Sequence, residues 1–335
     1  MKDKVLAAVA AELRAGGAGY LYTLIDGEYA GSKAYFGAAR VCNNDDLLPL
    51  FEQLRQSRPQ PDGVIDSVAG HVFCERIQPR PRLCICGGGH VSLPLAQIAD
   101  MLGFAVTVLD DREEFANARR FPQAELYCGD FVSGLQAFGG GSNDYFVIIT
   151  SGHLHDRACL EQILRGKYAY VGMIGSRPKR KAVYEQMLAQ GFTQAQLDTV
   201  HSPIGLNIGA ETPAEIAVCI AAEIIEVKSR IGGVGWEPAL LEALQAQQKP
   251  AALVVIVDQR GSSPRGVGAR MLVRADGSIA GTVGGGSSEA EAIRAAVKIA
   301  DAGGSGVFHC DMTNTSAVEQ GMVCGGTIDV FIEAI

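Results

Sequence analysis

Hydrophobic and polar positions change rhythm along the chain. Between residues 82 and 190, short apolar runs rich in β-branched side chains alternate with stretches of helical period. Strands are predicted at 82–86, 105–109, 124–128, 145–150 and 168–174, and helices at 90–102, 113–120, 156–165 and 179–190, the last closed by Gly191. This alternation predicts a doubly wound parallel α/β sheet of the Rossmann kind. After Arg230 the pattern shifts. A glycine-rich linker, 231–238, leads to a helix ending near Gln247, a strand at 252–258, and a hairpin, 270–274 and 278–283, around Ala275-Asp276-Gly277. A smaller mixed α/β domain is expected there.

The flanks of the central segment echo each other. Gly19-Tyr-Leu-Tyr-Thr-Leu-Ile-Asp26 resembles Ala251-Ala-Leu-Val-Val-Ile-Val-Asp258, and Gly70-His-Val-Phe-Cys-Glu75 resembles Thr327-Ile-Asp-Val-Phe-Ile-Glu333. The expected organisation is therefore an N-terminal α/β segment (1–78), a Rossmann-like domain (79–230) and a C-terminal domain (239–335), the first being a degenerate copy of the last that lacks its glycine loops.

Composition narrows the function classes. The 335 residues carry 29 Lys plus Arg against 37 Asp plus Glu, a formal net charge of −8, so no basic surface points to a nucleic acid. Nine scattered Cys residues without a Cys-x-x-Cys pair indicate neither a zinc ribbon nor a disulfide framework, and imply a reducing, cytoplasmic setting. The apolar stretch from Val5 is broken by Glu12 and Arg14, and the most apolar helical segment carries Glu215, Glu223 and Glu226. Neither a signal peptide nor a membrane span is expected. A homodimer is the base-rate expectation.

Glycine is in excess, 41 residues, where an average protein has about 7 %, and the excess is clustered. Leu83-Cys-Ile-Cys-Gly87-Gly88-Gly89-His90-Val91-Ser92 runs from strand through glycine turn to helix, as pyrophosphate binding requires, with Ser92 where a third Gly would stand. Asp110, about 20 residues further on, suits a ribose 2′-hydroxyl, whereas Arg112 suits a 2′-phosphate, so both cofactor forms stay open. Three more loops fall at predicted strand ends: Thr150-Ser-Gly-His-Leu-His-Asp156, Gly172-Met-Ile-Gly-Ser176-Arg177 and 203–213. His153, His155 and Asp156 read as a helix start with solvated His rather than a metal site. In the last domain, Gly261-Ser262-Ser-Pro-Arg265-Gly-Val-Gly-Ala-Arg270 offers hydroxyls and two guanidinium groups to an anion. Gly284-Gly285-Gly286-Ser287-Ser-Glu289 opens a helix with Ser287 as its expected cap. Gly321-Met-Val-Cys324-Gly-Gly326 sets a thiol in a turn where backbone dipoles favour the thiolate. The other eight Cys residues read as core filler.

Together these motifs resemble the xanthine dehydrogenase accessory factor family (XdhC/CoxI), the maturation factors of molybdenum hydroxylases. The resemblance rests on residues 81–90, Ile174-Gly-Ser-Arg177, residues 203–216, Gly261-Ser-Ser-Pro-Arg265, Gly281-Thr-Val-Gly-Gly-Gly-Ser-Ser-Glu289 and Cys324-Gly-Gly326. It departs in two respects. The glycine-arginine domain here follows the Rossmann-like domain, and Ser287 stands where many members carry Cys. By resemblance, such a protein binds the molybdenum cofactor, as molybdopterin or its dinucleotide, and supports its sulfuration with a cysteine desulfurase. It then delivers the cofactor to an apo molybdenum hydroxylase, acting as a chaperone rather than a catalyst. The cofactor-binding candidates are Gly87, Gly89, His90, Asp110, Arg112, Ser176, Arg177, Ser262, Arg265, Arg270, Gly285, Gly286, Ser287, Glu289 and Cys324, the last also being the metal ligand because thiolates suit soft centres. The competing expectation is an NAD(P)-dependent oxidoreductase, drawn from the Gly87–Asp110 fingerprint. A scaffold for hydroxylase assembly is a third.

Overall fold

The computed structural model describes residues 3–57, 62–151, 153–231, 236–261, 265–311 and 326–335. The chain divides into a terminal unit, Met1–Pro79 with Gly232–Ile335, and a central unit, Arg80–Ile231.

The first part of the terminal unit contains α1 (Lys4–Arg14), β1 (Gly19–Leu24), β2 (Lys33–Phe36), β3 (Arg40–Cys42), α2 (Leu48–Ser57), β4 (Gly63–Ser67) and β5 (Gly70–Ile77). Asp3 starts α1 by accepting the Val5 N–H at 2.7 Å, which satisfies an otherwise orphan donor. The strands form an antiparallel sheet in the order β3-β2-β1-β5-β4.

The central unit follows with β6 (Arg82–Cys86), α3 (Ser92–Met101), β7 (Ala105–Asp110), β8 (Glu125–Cys128), α4 (Phe131–Phe138), β9 (Asp144–Ile148), α5 (His153–Leu164), β10 (Tyr170–Met173), α6 (Arg177–Ala189), α7 (Gln194–Leu197), β11 (Val200–His201) and α8 (Pro213–Ile231). Its sheet is parallel, in the order β11-β10-β9-β6-β7-β8. That is the dinucleotide-fold order, with the topological switch between β6 and β9. Successive side chains of β6 serve opposite cores: Leu83 and Ile85 pack with α3 and α8, Cys84 and Cys86 with α4, α5 and α6.

Two expectations fail here. Residues 113–120 form turns instead of a helix. Asn117 donates to the carbonyls of Glu113 and Glu114 at 3.0 and 2.9 Å, a local side-chain bond that competes with the helical ladder. Conversely α4 was not foreseen, although Asp130 caps it by accepting the Ser133 N–H at 2.8 Å and Phe131 and Leu135 are buried one turn apart. The interior Gly134 and the glycines after the helix mask its pattern.

The chain returns to the terminal unit with α9 (Pro238–Ala246), β12 (Ala251–Arg260), β13 (Arg270–Arg274), β14 (Ile279–Gly281), α10 (Gly286–Ala302), β15 (Ser305–Asp311) and β16 (Thr327–Ala334). The sheet order is β14-β13-β12-β16-β15, again antiparallel. Helix and strand order thus repeat those of the N-terminal half, element for element. The registers agree as well. Leu21 pairs with Glu75 as Leu253 pairs with Glu333, and Thr23 pairs with Lys33 as Val255 pairs with Arg270.

Each half has a private core, one under α2 and one under α10. Between them lies a shared core in which Leu21, Tyr35 and Ile77 meet Leu240, Leu253 and Leu272. A smaller shared cluster joins Ile25 and Phe73 to Val255, Val257 and Phe331. Two buried ion pairs cross the same boundary reciprocally: Lys33 with Glu333, and Arg270 with Glu75. Because Lys33 corresponds to Arg270 and Glu75 to Glu333, the halves pair as two copies about a pseudo-two-fold, the isologous geometry of a dimer within one chain.

Candidate functional site

In the central unit, four loops follow the C-terminal ends of β6, β9, β10 and β11, on one edge of the parallel sheet. Gly87 turns the chain at φ +111°, and a Cβ there would run into the Ile149 carbonyl. Ser92, in the third-glycine position, is buried and donates its hydroxyl to the Gly87 carbonyl. Gly89 has open space where a Cβ would stand, and His90 is exposed.

Asp110 and Arg112 are where the fingerprint expects them, yet they are engaged with each other. The Asp110 carboxylate accepts the Gly88 N–H at 2.8 Å and the Arg112 N–H, Nε and Nη2 at 3.0, 2.9 and 3.1 Å. Burial raises the Asp110 pKa, but Arg112 and these N–H groups outweigh it and hold the carboxyl below the usual range. Arg112 lies over the Phe115 ring at 3.8 Å. Arg120, which sequence reasoning missed, donates to the Gly88 and Gly89 carbonyls at 2.9 and 3.3 Å. Asp110 and Arg112, expected to meet a ribose 2′-hydroxyl or a 2′-phosphate, bond each other here and tie the glycine turn to the segment after β7.

The loop after β9 is likewise internally tied. Asp156 is fully buried, accepts the Thr150 hydroxyl at 2.7 Å and pairs with Lys179 of α6. His155 is exposed, 4.0 Å from the Asp111 carboxylate. Among the described residues no group of three His, Cys, Asp or Glu side chains is placed to hold a metal. Ser176 caps α6 through the Lys179 N–H at 3.4 Å and Arg177 is exposed beside it. The loop from 203 is anchored by Glu223, which accepts from Tyr170 Oη at 2.6 Å and the Gly205 N–H at 2.9 Å and lies 3.1 Å from His201 Nδ1.

The C-terminal half presents a different surface. Gly284, Gly285 and Gly286 have φ of +128°, +78° and +72°, a left-handed run that side chains resist, and a Cβ at Gly285 or Gly286 would meet nothing. Gly285 is the cap of α10 and, having no side chain, makes no side-chain cap bond to the first-turn N–H groups. The helix thus starts before Ser287, which corrects Ser287 as the cap. Its side chain, like Ser262 and Cys324, lies outside the described residues.

Glu289 is turned into its own loop. Its carboxylate accepts the Thr282 hydroxyl and the Val283 and Gly285 N–H groups, at 3.0 and 3.1 Å for the last two. Burial pushes its pKa up, but these donors dominate and hold it below the usual value. Glu289, expected as a cofactor contact, thus shapes the glycine loop through these bonds.

Arg265 is exposed, 3.2 Å from Glu237. Arg270 is not: it is 6 % exposed, stacked on Trp236 at 4.2 Å and paired with Glu75. Its assignment as a phosphate or pterin ligand is corrected accordingly, since the guanidinium joins the two halves. Glu75 was missed as a candidate, although its alignment with Glu333 in the sequence repeat was the signal. Seven of the described cysteines are buried, as core filler should be, but Cys128 is exposed.

A dinucleotide-type sheet together with a duplicated antiparallel unit, with glycine-arginine loops on one copy only, defines the class. Residues 83–224 match the XdhC Rossmann domain and residues 244–311 the XdhC and CoxI family, so the chain belongs to the XdhC/CoxI family. The uncharacterized protein YqeB of Escherichia coli (strain K12) is 33 % identical over 190 residues, 55 % of this chain and 35 % of that protein. A protein of Bacillus subtilis (strain 168) named as a probable component of xanthine dehydrogenase is 33 % identical over 165 residues, 49 % of this chain and 48 % of that protein. The chain thus spans between about a third and a half of the length of these relatives. A crystal structure described as a xanthine dehydrogenase from Bacillus halodurans aligns with a TM-score of 0.56 at 25 % identity, over 67 % of this chain and 66 % of that one.

Proposed function

We propose that the protein is a maturation factor for a xanthine dehydrogenase type molybdenum hydroxylase, holding the molybdenum cofactor and passing it to the apo-enzyme after sulfuration with a cysteine desulfurase. The observation that carries this reading is the loop asymmetry of the terminal unit. Two halves share one plan, and among the described residues only the C-terminal half bears the open left-handed glycine run, a helix that starts on it without a side-chain cap, and the exposed Arg265.

These groups suit the phosphate end of molybdopterin. N–H donors and a helix dipole favour an anion, and an exposed guanidinium reaches it bidentately. Cys324 is the thiol this reading assigns to the metal end. The family's relatives named for xanthine dehydrogenase support the choice of client.

Activation of an apo-hydroxylase in vitro tests the proposal. Wild type with molybdopterin should restore activity, and Cys324→Ala and Arg265→Ala should reduce it more than Asp110→Ala. Equal or reversed effects would contradict the site. The alternative, an NAD(P)-dependent oxidoreductase, is favoured by the strand order alone. Fluorescence titration with NADH and NADPH decides it, with no binding at millimolar cofactor removing it.

A further inference from the structure

Two clefts lie between the halves of the terminal unit, related by the same pseudo-two-fold as the ion pairs. One, about 560 Å³, runs from the β1–β2 connection to the start of β15. Polar side chains line it and bond one another or nearby backbone: Lys33 pairs with Glu333 and lies 3.5 Å from Asp3, while Asn43 accepts the Lys33 N–H at 2.6 Å. The other, about 470 Å³, runs from the β12–β13 connection, the loop that carries Arg265, to the edge strand β4 of the N-terminal half.

This second cleft has exchanged its lining. The registers place Val267 where the first cleft has Ala30, and Asp62 where it has Ser305. Val64, Phe73, Val257 and Val267 give it apolar walls, and its charged lining residues are Glu75, Asp62 and Asp258, with no cation among the described ones; Asp258 lies 3.4 Å from Arg260 Nε. Arg270, itself not a lining residue, pairs with Glu75 and stacks on Trp236.

The volume is within the range of small-molecule sites, roughly 300–1,000 Å³. Among the described lining residues an anion meets no cation, and the neighbouring Arg270 and Arg260 are already engaged by Glu75 and Asp258. A divalent ion needs convergent ligands, and no described trio of acidic, His or Cys side chains converges. What matches is a flat ring that packs between aliphatic and aromatic walls while donating N–H groups along one edge, as an aminopyrimidinone does to a carboxylate.

We infer that this inter-half cleft is the subsite for a planar, N–H-donating heterocycle, and that the N-terminal half contributes Glu75, Asp62 and Phe73 to it. The inference rests on the carrier reading and orients the ligand: pterin ring toward the cleft, phosphate toward Arg265 and the α10 start. The degenerate half thus completes the site of the loop-bearing half.

Titration of the full-length protein with neopterin, a fluorescent pterin without phosphate, tests the assignment by anisotropy. Wild type should bind saturably, and Val64→Trp, which fills the cleft from an exposed position on β4, should bind at least about tenfold more weakly. Glu75→Gln should weaken binding similarly, and because it also removes the partner of a buried guanidinium, its fold is checked by circular dichroism, with Val64→Trp deciding if it does not fold. Absence of neopterin binding at millimolar concentration, or equal affinity in Val64→Trp, overturns the subsite. Molybdopterin retention measured in parallel separates the two readings. Retention unaffected by Val64→Trp leaves the carrier standing and removes the cleft, whereas neopterin binding lost in Val64→Trp without molybdopterin retention does the reverse.

Discussion

The two halves of the terminal unit have the same architecture and opposite chemistry. In the N-terminal half, the β1–β2 connection is held by Leu24 and Gly31 backbone bonding at 2.8 Å, and β4 turns into β5 through Val68 and Ala69 alone. In the C-terminal half, the corresponding connections hold the Arg265 loop and the segment containing Cys324. The comparison separates what the shared plan needs from what function adds. Leu21 and Leu253, or Lys33 and Arg270, are equivalent because both halves must bury one sheet face against the other. Arg265 and the Gly284–Gly286 run have no counterpart, because pairing does not require them.

The largest test of this equivalence removes one cation at a time. Arg270→Met and Lys33→Met should each destabilise the protein by about 3–5 kcal/mol in urea unfolding, since each strands a buried carboxylate. Desolvation works against the Lys33 ammonium, but Glu333 and Asp3 outweigh it and hold its pKa above the ordinary lysine value, so its charge must be lost entirely to break the pair. One variant near wild-type stability would break the pseudo-symmetry. Leu21→Ala and Leu253→Ala, both buried in the shared core, should follow at about 2–5 kcal/mol each. A cost confined to one of them would show that the shared core belongs to one half.

Smaller effects sharpen the asymmetry. Gly285→Ala places a Cβ in open space at φ +78°, so thermal unfolding should report only the backbone penalty, about 1–2 kcal/mol. A larger loss would mean the loop is packed rather than open. The smallest effect is a pH dependence. Glu289 has a depressed pKa in the folded protein, so its contribution is complete above the ordinary glutamate value of 4.5 and is lost as pH falls through the lower folded value. Amide exchange at Val283 and Gly285 should accelerate across that interval in wild type and show no such step in Glu289→Gln.

Much of the fold was legible because period and punctuation agree. The strand at residues 82–86 and the hairpin around Asp276-Gly277 emerge within a residue or two of their predicted bounds. Residues 113–120 misled because Asn117 bonds carbonyls that a helix would use. The site was legible at its glycines and illegible at its long-range partners. No local pattern shows that Asp110 accepts the Gly88 N–H from the preceding glycine turn, or that Arg270 reaches Glu75 from the other half of a split unit. Only the repeat hinted at that second pairing, since it aligned Glu75 with Glu333.

The central claim is that a molybdenum-pterin anion is held by the loop-bearing half. Anaerobic gel filtration of the full-length protein with molybdopterin, reading pterin fluorescence in the protein peak, tests it most directly. The account predicts co-migration with wild type and with Asp110→Ala, and its loss in Arg265→Ala and Cys324→Ala. Pterin that elutes apart from wild type, or that stays with both loop variants, would contradict it.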